Sequence, residues 1–255
     1  MFKTERRDKI IELLKEQQRA TVKELSKMLG VSEATLRSDL QWMEEDGLLQ
    51  RTHGGAVLQT EAQTETSFAV REKKNPEEKM AIAAKAAELV DSGQCILLDA
   101  SSTALELARR LKKMPIRLIV VTSGIHAALE LRENPGITVI LIGGVLRLGS
   151  FAIEGTLGTH ILHQINVDTM FASARGFTIE DGLTDFNVYE VELKKEMVKA
   201  SRKLIALLDY SKLGKSSISS FARTSEIDTI ITDSKASPEM LGKLAEMNIR
   251  VLKTE

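Results

Sequence analysis

Between residues 95 and 252, short apolar runs alternate with stretches of helical periodicity, and this alternation constrains the fold more than any other feature of the 255-residue chain. The runs fall at residues 95–99, 118–121, 138–142, 169–172, 203–208, 228–232 and 249–252, with helical patterns at 103–112, 124–133, 156–164, 189–201 and 238–247. Strands that are apolar throughout need cover on both faces, and interleaved helices supply it. The pattern therefore predicts an α/β fold with a mostly parallel, helix-covered sheet. Ligands of such sheets gather beyond the carboxyl ends of the strands.

Those ends are polar here. The first run closes on Asp99-Ala100-Ser101-Ser102-Thr103 and enters a helix, so hydroxyls and free amides meet at a helix N-terminus, where anions are stabilised. The second ends in Thr122-Ser123-Gly124 and the third in Gly143-Gly144 with Arg147 beyond; Arg175 follows the fourth, and Asp209 and Lys212 follow the fifth. This set suits a phosphate plus sugar hydroxyls. Turns need small polar residues as well, so residue type alone leaves the ligand and turn readings level.

The N-terminal quarter follows another logic. Thr21 with Glu24 is a capping box that starts a helix, Gly30 offers the left-handed conformation that ends it, and Val22, Leu25, Met28 and Leu29 share a face. Ser32 is the next N-cap, after which Leu36, Leu40 and Met43 recur at i, i+4 and i+7. The opposite face shows Glu33, Thr35, Arg37, Ser38 and Gln41, a set suited to a major groove. Gly47 closes this helix, and residues 48–57 read as a hairpin, or wing, with Arg51 and His53 beside a Gly54-Gly55 turn. Residues 4–17 form a leading helix with Ile10, Leu13 and Leu14 as its packing stripe, and Trp42 reads as packing at the margin of the core. Periodicity is lost from residue 58 to 75, and Asn75-Pro76-Glu77-Glu78 restarts a helix. The expected organisation is a winged helix-turn-helix at 1–58, a linker at 59–75 and an effector domain at 76–255.

Bulk charge gives the DNA reading no help. Residues 1–58 carry ten Lys plus Arg against ten Asp plus Glu, and the whole chain has a net charge of −1. A positive face has to come from distribution: Lys3, Arg6, Arg7 and Lys9 on the leading helix, Arg37 on the groove-facing helix, and Arg51 and His53 on the wing. No run approaches the roughly 20 apolar residues that cross a bilayer. The N-terminus lacks a signal-peptide core, so a cytoplasmic location is expected. Cys95 is the sole cysteine and reads as a core residue. His53, His126, His160 and His163 have no Cys partners and no HExxH phrase; no metal and no cofactor are expected.

Residues 6–57, with the phrases VSEATLRSDL, GLL and RTHGGAV, resemble the winged helix-turn-helix of the DeoR family of bacterial transcription regulators. Residues 76–255, with LLDASST, VVTS, LIGGVLR, EGTLG, DGLT, LLDYSKLG and IDTIITD in order, resemble that family's sugar-phosphate-sensing domain, which is related in fold to ribose-phosphate isomerases. The resemblance implies a non-enzymatic, ligand-responsive regulator, a repressor of a sugar-utilisation operon. A phosphorylated sugar would release it from its double-stranded DNA operator or retune it there, and it would act as a homo-oligomer, dimer or tetramer. DNA contacts would come from Thr21, Ser32, Glu33, Thr35, Arg37, Ser38, Arg51 and His53. The sugar phosphate would lie among Asp99, Ser102, Thr103, Thr122, Gly143, Gly144 and Lys212, joined at the strand ends by Ser101, Ser123, Arg147, Arg175 and Asp209.

Four positions depart from the family pattern. Ser38 stands where a second arginine is usual, Ser101 where glycine is, Ala104 where threonine is, and Ser123 where asparagine is. A Cβ at 101 is expected to hold the backbone off a phosphate, and Ala104 removes a hydroxyl donor. Two other classes fit parts of the chain. A sugar-phosphate isomerase with an appended nucleic-acid module would use Asp99, Asp209 and Lys212 as its acid–base groups. A constitutive architectural binder would carry a vestigial sensor.

Overall fold

The computed structural model describes residues 3–17, 19–45, 49–57, 68–147, 150–247 and 249–254. The chain divides into two compact units, Met1–Lys74 and Asn75–Glu255.

The first unit is built on three helices, α1 (Lys3–Gln17), α2 (Val22–Leu29) and α3 (Glu33–Glu45), with strands β1 (Arg19–Thr21), β2 (Gln50–Thr52) and β3 (Gly55–Val57). The Thr21 capping box forms, with the Thr21 hydroxyl accepting from Glu24 N at 3.2 Å and the Glu24 carboxylate accepting from Thr21 N at 2.8 Å. Gly30 ends α2 at φ 65°. The wing is an antiparallel sheet in the order β1-β3-β2, so it gains a third strand, β1, beyond the expected hairpin. Gly55 has to be glycine, because a Cβ there would lie 2.1 Å from the carbonyl oxygen of Ala20 on β1. The core comprises Ile10, Leu14, Val22, Leu25, Leu36, Leu40 and Met43, with Leu49 and Ala56 from the wing. Met28 does not join it. It is 49% exposed, because at 100° per residue it falls outside the arc of Val22, Leu25 and Leu29. The expected helix stop at Gly47 lies outside the described residues.

Asp39 fixes α1 to α3. It is buried on α3 and accepts from Arg6 Nε at 2.6 Å and Arg7 Nε at 3.2 Å, and the Arg7 guanidinium lies 3.6 Å from the ring centroid of Trp42. Arg6 and Arg7 were expected to belong to a phosphate-facing surface. The structure corrects this: both are mostly buried, because a buried carboxylate needs paired charge.

In the stretch expected to be linker, residues 58–67 lie outside the described residues and Phe68–Lys73 form a short helix, α4. The second unit opens with α5 (Pro76–Ala87) and contains all seven expected strands: β4 (Cys95–Leu98), β5 (Leu118–Thr122), β6 (Ile137–Leu141), β7 (Thr169–Ala172), β10 (Leu204–Leu207), β12 (Thr229–Thr232) and β13 (Arg250–Lys253). They pair in the order β13-β12-β10-β7-β4-β5-β6, every pairing parallel. Helices α6 (Ser102–Leu111), α7 (Ile125–Leu131), α8 (Val188–Lys199) and α9 (Pro238–Glu246) follow the expected pattern. The chain runs from β4 outward through β5 and β6, then returns to lay β7 on the other side of β4. The connections therefore diverge between β4 and β7.

Two expectations fail here. The helix expected at 156–164 is only a 3-10 turn, Thr159–His163. Gly158, just before it, lies so close to Gly143 that a Cβ would be 2.0 Å from the Gly143 carbonyl oxygen, and this contact fixes the chain in a bend. A second sheet was not foreseen: β8 (Gly176–Thr178), β9 (Gly182–Asp185) and β11 (Ser219–Ala222) pair antiparallel in the order β11-β9-β8.

Replacing Asp39 with alanine removes the buried carboxylate that two mostly buried guanidinium groups share. The winged unit should lose about 3 kcal/mol, read in a denaturant titration followed by fluorescence of Trp42, the single tryptophan.

Candidate functional site

On the first unit, the hydroxyls of Thr21 and Ser32 act locally: Ser32 Oγ accepts from Thr35 N at 3.2 Å and meets Thr35 Oγ1 at 2.9 Å. Both capping residues are exposed at the N-terminal ends of α2 and α3, where backbone N–H groups point outward. Glu33 and Arg37 form an exposed i,i+4 pair at 2.6 Å, and Ser38 is exposed on the same helix. On the wing His53 is exposed and Arg51 half-buried, with Arg51 N donating to Glu44 Oε1 at 2.8 Å. With Arg6 and Arg7 turned inward, the expected cationic face is reduced to Arg37, Arg51, His53 and Lys9 among the residues whose side chains are described.

On the second unit, the divergence between β4 and β7 is bridged by one carboxylate. Asp99, at the end of β4, is fully buried; its Oδ1 accepts from Ser101 N at 3.2 Å and from the Ser101 hydroxyl at 2.5 Å, and its Oδ2 accepts from Ser173 N, beyond β7, at 3.0 Å. Ser101 then caps α6, its Oγ accepting from Ala104 N at 3.1 Å. Its φ of −79° is ordinary for any residue. Position 101 therefore has no conformational need for glycine, and the serine supplies a cap that glycine lacks. Ser102 and Thr103 are buried in the first turn of α6.

The adjacent strand end packs on this loop. Thr122 Oγ1 accepts from Gly124 N at 3.0 Å, and a Cβ on Gly124 would lie 3.1 Å from the Cα of Ala100. Ser123 is buried, its carbonyl accepting from Ile153 N at 2.8 Å. Beyond β6, Gly143 and Gly144 are exposed and lead to Arg147. Arg147 pairs with the buried Glu154 through Nε at 2.6 Å, and its guanidinium lies 4.8 Å from the ring centroid of Tyr189. Across the divergence, Arg175 N pairs with Thr184 O at 2.9 Å. Asp209 is buried at the end of β10 and accepts from Asn75 Nδ2 at 2.9 Å and Ser211 N at 3.0 Å; Lys212 N donates back to Asp209 O at 2.9 Å. From β6 to β10 is four strand spacings, about 19 Å. Gly143 and Asp209 therefore stand on opposite flanks of the divergence, with the 99–103 loop between them.

The residue that joins these flanks is absent from the sequence reading. Lys194 of α8 is buried, its Nζ 3.0 Å from Asp99 Oδ2, 2.8 Å from Asp185 Oδ2 on β9 and 3.0 Å from the Ser173 carbonyl oxygen, and 4.7 Å from the Phe221 ring centroid on β11. Burial alone would lower its pKa, but the charges of Asp185, Asp99 and Glu190 outweigh burial and raise it well above the ordinary lysine value. Asn187 extends the network: its Nδ2 donates to Glu154 at 2.7 Å and to Glu190 at 3.2 Å, and its Oδ1 caps α8 through Tyr189 N at 3.1 Å. Asn187 ahead of an apolar-periodic run was a readable cap signal. Lys194 had a readable signal too: at 100° per residue it falls inside the arc of Leu193, Met197, Val198 and Val191, whereas its neighbour Lys195 falls outside it.

A groove of about 530 Å³ lies elsewhere, between α5 and α6, lined by Met80, Ala84, Ala87, Glu106, Arg109 and Arg110 among others; no residue expected to bind the sugar phosphate borders it. His160 and His163 occupy the 3-10 turn, with Gln164 Nε2 3.2 Å from His160 Nδ1. No helix among the described residues is long and apolar enough to cross a membrane.

Lys194→Met should cost about 3–5 kcal/mol, because it strands Asp99 and Asp185 as buried like charges. A lysine whose folded pKa is raised stabilises fully below its unfolded pKa, about 10.4, and loses that contribution as pH rises past it. The stability difference between the two proteins, from urea titrations followed by circular dichroism, should therefore shrink at pH above the unfolded lysine value, and shrink again in acid as the stranded carboxylates of the variant take up protons.

Residues 6–62 match the model for a DeoR-like helix-turn-helix domain, and residues 74–234 match that for a DeoR C-terminal sensor domain. The chain is 47% identical over 251 residues to the HTH-type transcriptional regulator GolR of Listeria innocua serovar 6a, covering 98% of each protein. It is 33% identical over 255 residues to the HTH-type transcriptional repressor GlcR of Bacillus subtilis, covering 100% of this chain and 98% of that protein. A solved D-ribose-5-phosphate isomerase in complex with phospho-erythronic acid aligns at 18% identity and a TM-score of 0.41 over 54% of each chain. With both family models matched in order along one chain, and relatives aligned end to end that are named as transcriptional regulators, this protein belongs to the DeoR family of DNA-binding transcriptional regulators.

Proposed function

We propose that this regulator is a repressor of a sugar-utilisation operon whose effector is a phosphorylated sugar, bound where the strand connections diverge between β4 and β7. The observation that carries this reading is the loop after β4. Ser102 and Thr103 bring hydroxyls, and the turn that Ser101 caps brings the N-terminus of α6, to the divergence of an all-parallel sheet, the position where such sheets take anionic ligands. The phosphate would sit on this turn, near Thr122 and Ser123. The sugar would extend toward Gly143, Gly144 and Arg147 on one flank, or toward Arg175, Asp209 and Lys212 on the other.

In the DNA-binding unit, Thr21 and Ser32 would contact phosphates through the helix N-termini they cap, Glu33, Thr35, Arg37 and Ser38 would face the major groove, and Arg51 and His53 would lie along the backbone. The protein would work in the cytoplasm as a homo-oligomer, dimer or tetramer, so that two recognition helices meet half-sites a whole number of helical turns apart. Effector and operator need be coupled by only about 1–3 kcal/mol. GlcR of Bacillus subtilis and AccR of Agrobacterium fabrum are among the relatives themselves named repressors.

The expected outcome of titrating the protein, bound to its own upstream DNA, with a panel of sugar phosphates is that one of them changes the bound fraction by about five- to a hundredfold in affinity and raises the melting temperature. The unphosphorylated sugar should do neither. If no sugar phosphate changed DNA binding or melting, the effector assignment would fail.

A further inference from the structure

The first turns of α3 expose their charge in a specific form. Across residues 33–41 the charged side chains are Glu33, Arg37 and Asp39, and Asp39 is buried under Arg6 and Arg7. What remains outward is the Glu33–Arg37 pair, with Arg37 Nη2 donating to Glu33 Oε2 at 2.6 Å and side chains 58% and 43% exposed. An exposed i,i+4 pair in the first turn of a helix contributes only weakly to stability, so the pair is free to serve another purpose. It is also poorly suited to phosphate, since the carboxylate cancels the guanidinium charge and would be repelled by the backbone.

A base pair is a better complement. Arg37 has committed one of the two N–H bonds of Nη2 to Glu33, and among the described residues its Nε and Nη1 make no hydrogen bond, so the second Nη2 N–H and its neighbour on Nη1 form an open edge of two parallel donors. The pair thus presents N–H donors beside a carboxylate acceptor. In the major groove a G·C pair presents guanine N7 and O6 as acceptors beside the cytosine amino donor, whereas an A·T pair presents acceptor, donor, acceptor. Donors followed by an acceptor match the first pattern and clash with the second. The flanking outward residues, Ala34 and Ser38, are small and exposed, so α3 can approach closely enough for the short glutamate side chain to reach a base edge.

We infer that Glu33 and Arg37 together read one G·C pair in each half-site, Arg37 on guanine and Glu33 on the cytosine amino group. This rests on α3 being the helix that enters the groove, and it adds which base pair that helix requires.

The test is selection of binding sites from random duplex DNA by the full-length protein, followed by anisotropy titrations on the selected site. The wild-type protein should fix a G·C pair at one position per half-site and lose about ten- to a hundredfold in affinity when that pair becomes A·T. Glu33→Ala should shrink that penalty by at least about fivefold, and Arg37→Ala should abolish it, both at that same position, with melting temperatures unchanged because both side chains are exposed. The inference is overturned if the fixed positions include no G·C pair, or if Glu33→Ala keeps the full penalty. Enrichment of no sequence at all would instead defeat the reading of α3 as a recognition helix.

Discussion

A buried ammonium organises the larger unit. Lys194 joins the end of the central strand β4 through Asp99, the end of β7 through Ser173, and the small antiparallel sheet through Asp185. Each attachment satisfies charge or hydrogen-bonding capacity that would be costly to bury alone. The ends of two neighbouring strands, which the chain leaves in opposite directions, are thereby held in one geometry, and the hydroxyl-bearing loop after β4 inherits that geometry from Asp99. The loop's rigidity comes from beneath it, so its backbone amides are preorganised.

Ser101 shows how a departure from a family pattern can be structurally neutral. It caps α6 while donating its proton to Asp99, which keeps the first turn satisfied without any unusual backbone angle. On the other unit, Asp39 plays for α1 and α3 a part parallel to that of Lys194, one buried charge met by two opposite charges. In both units a single buried charge between two opposite ones ties together elements that are distant in sequence.

The strand ladder was legible because β7, β10 and β12 are buried at every position, so their sequences carry no charge and depart from apolar only at the threonines at the ends of β7 and β12, Thr169, Thr229 and Thr232. The first two units of the DNA-binding module were legible because the cap and stop residues are local: Thr21 needs only Glu24, and Gly30 only its own φ. What stayed hidden depends on distance along the chain. The antiparallel sheet is assembled from three- and four-residue strands, with β11 more than thirty residues beyond β9. Arg6 and Arg7 looked like solvent-facing cations because their acceptor lies more than thirty residues away. At the strand ends Asp99 and Asp209 both spend oxygens on local backbone amides, a task that residue type alone does not reveal. Polar residues at a strand end show where a site can lie, while their partners show which of them still has hydrogen-bonding capacity for a guest.

The inward turn of Arg6 and Arg7 bears on how such a molecule searches a chromosome. Residence on arbitrary duplex is set by how many cations a surface can lend to the sugar-phosphate chain, because each one frees a condensed counterion. A module that spends two arginines on its own interior clings less to unrelated sequence. Its discrimination between a true target and bulk genome then rests more on contacts that depend on base identity.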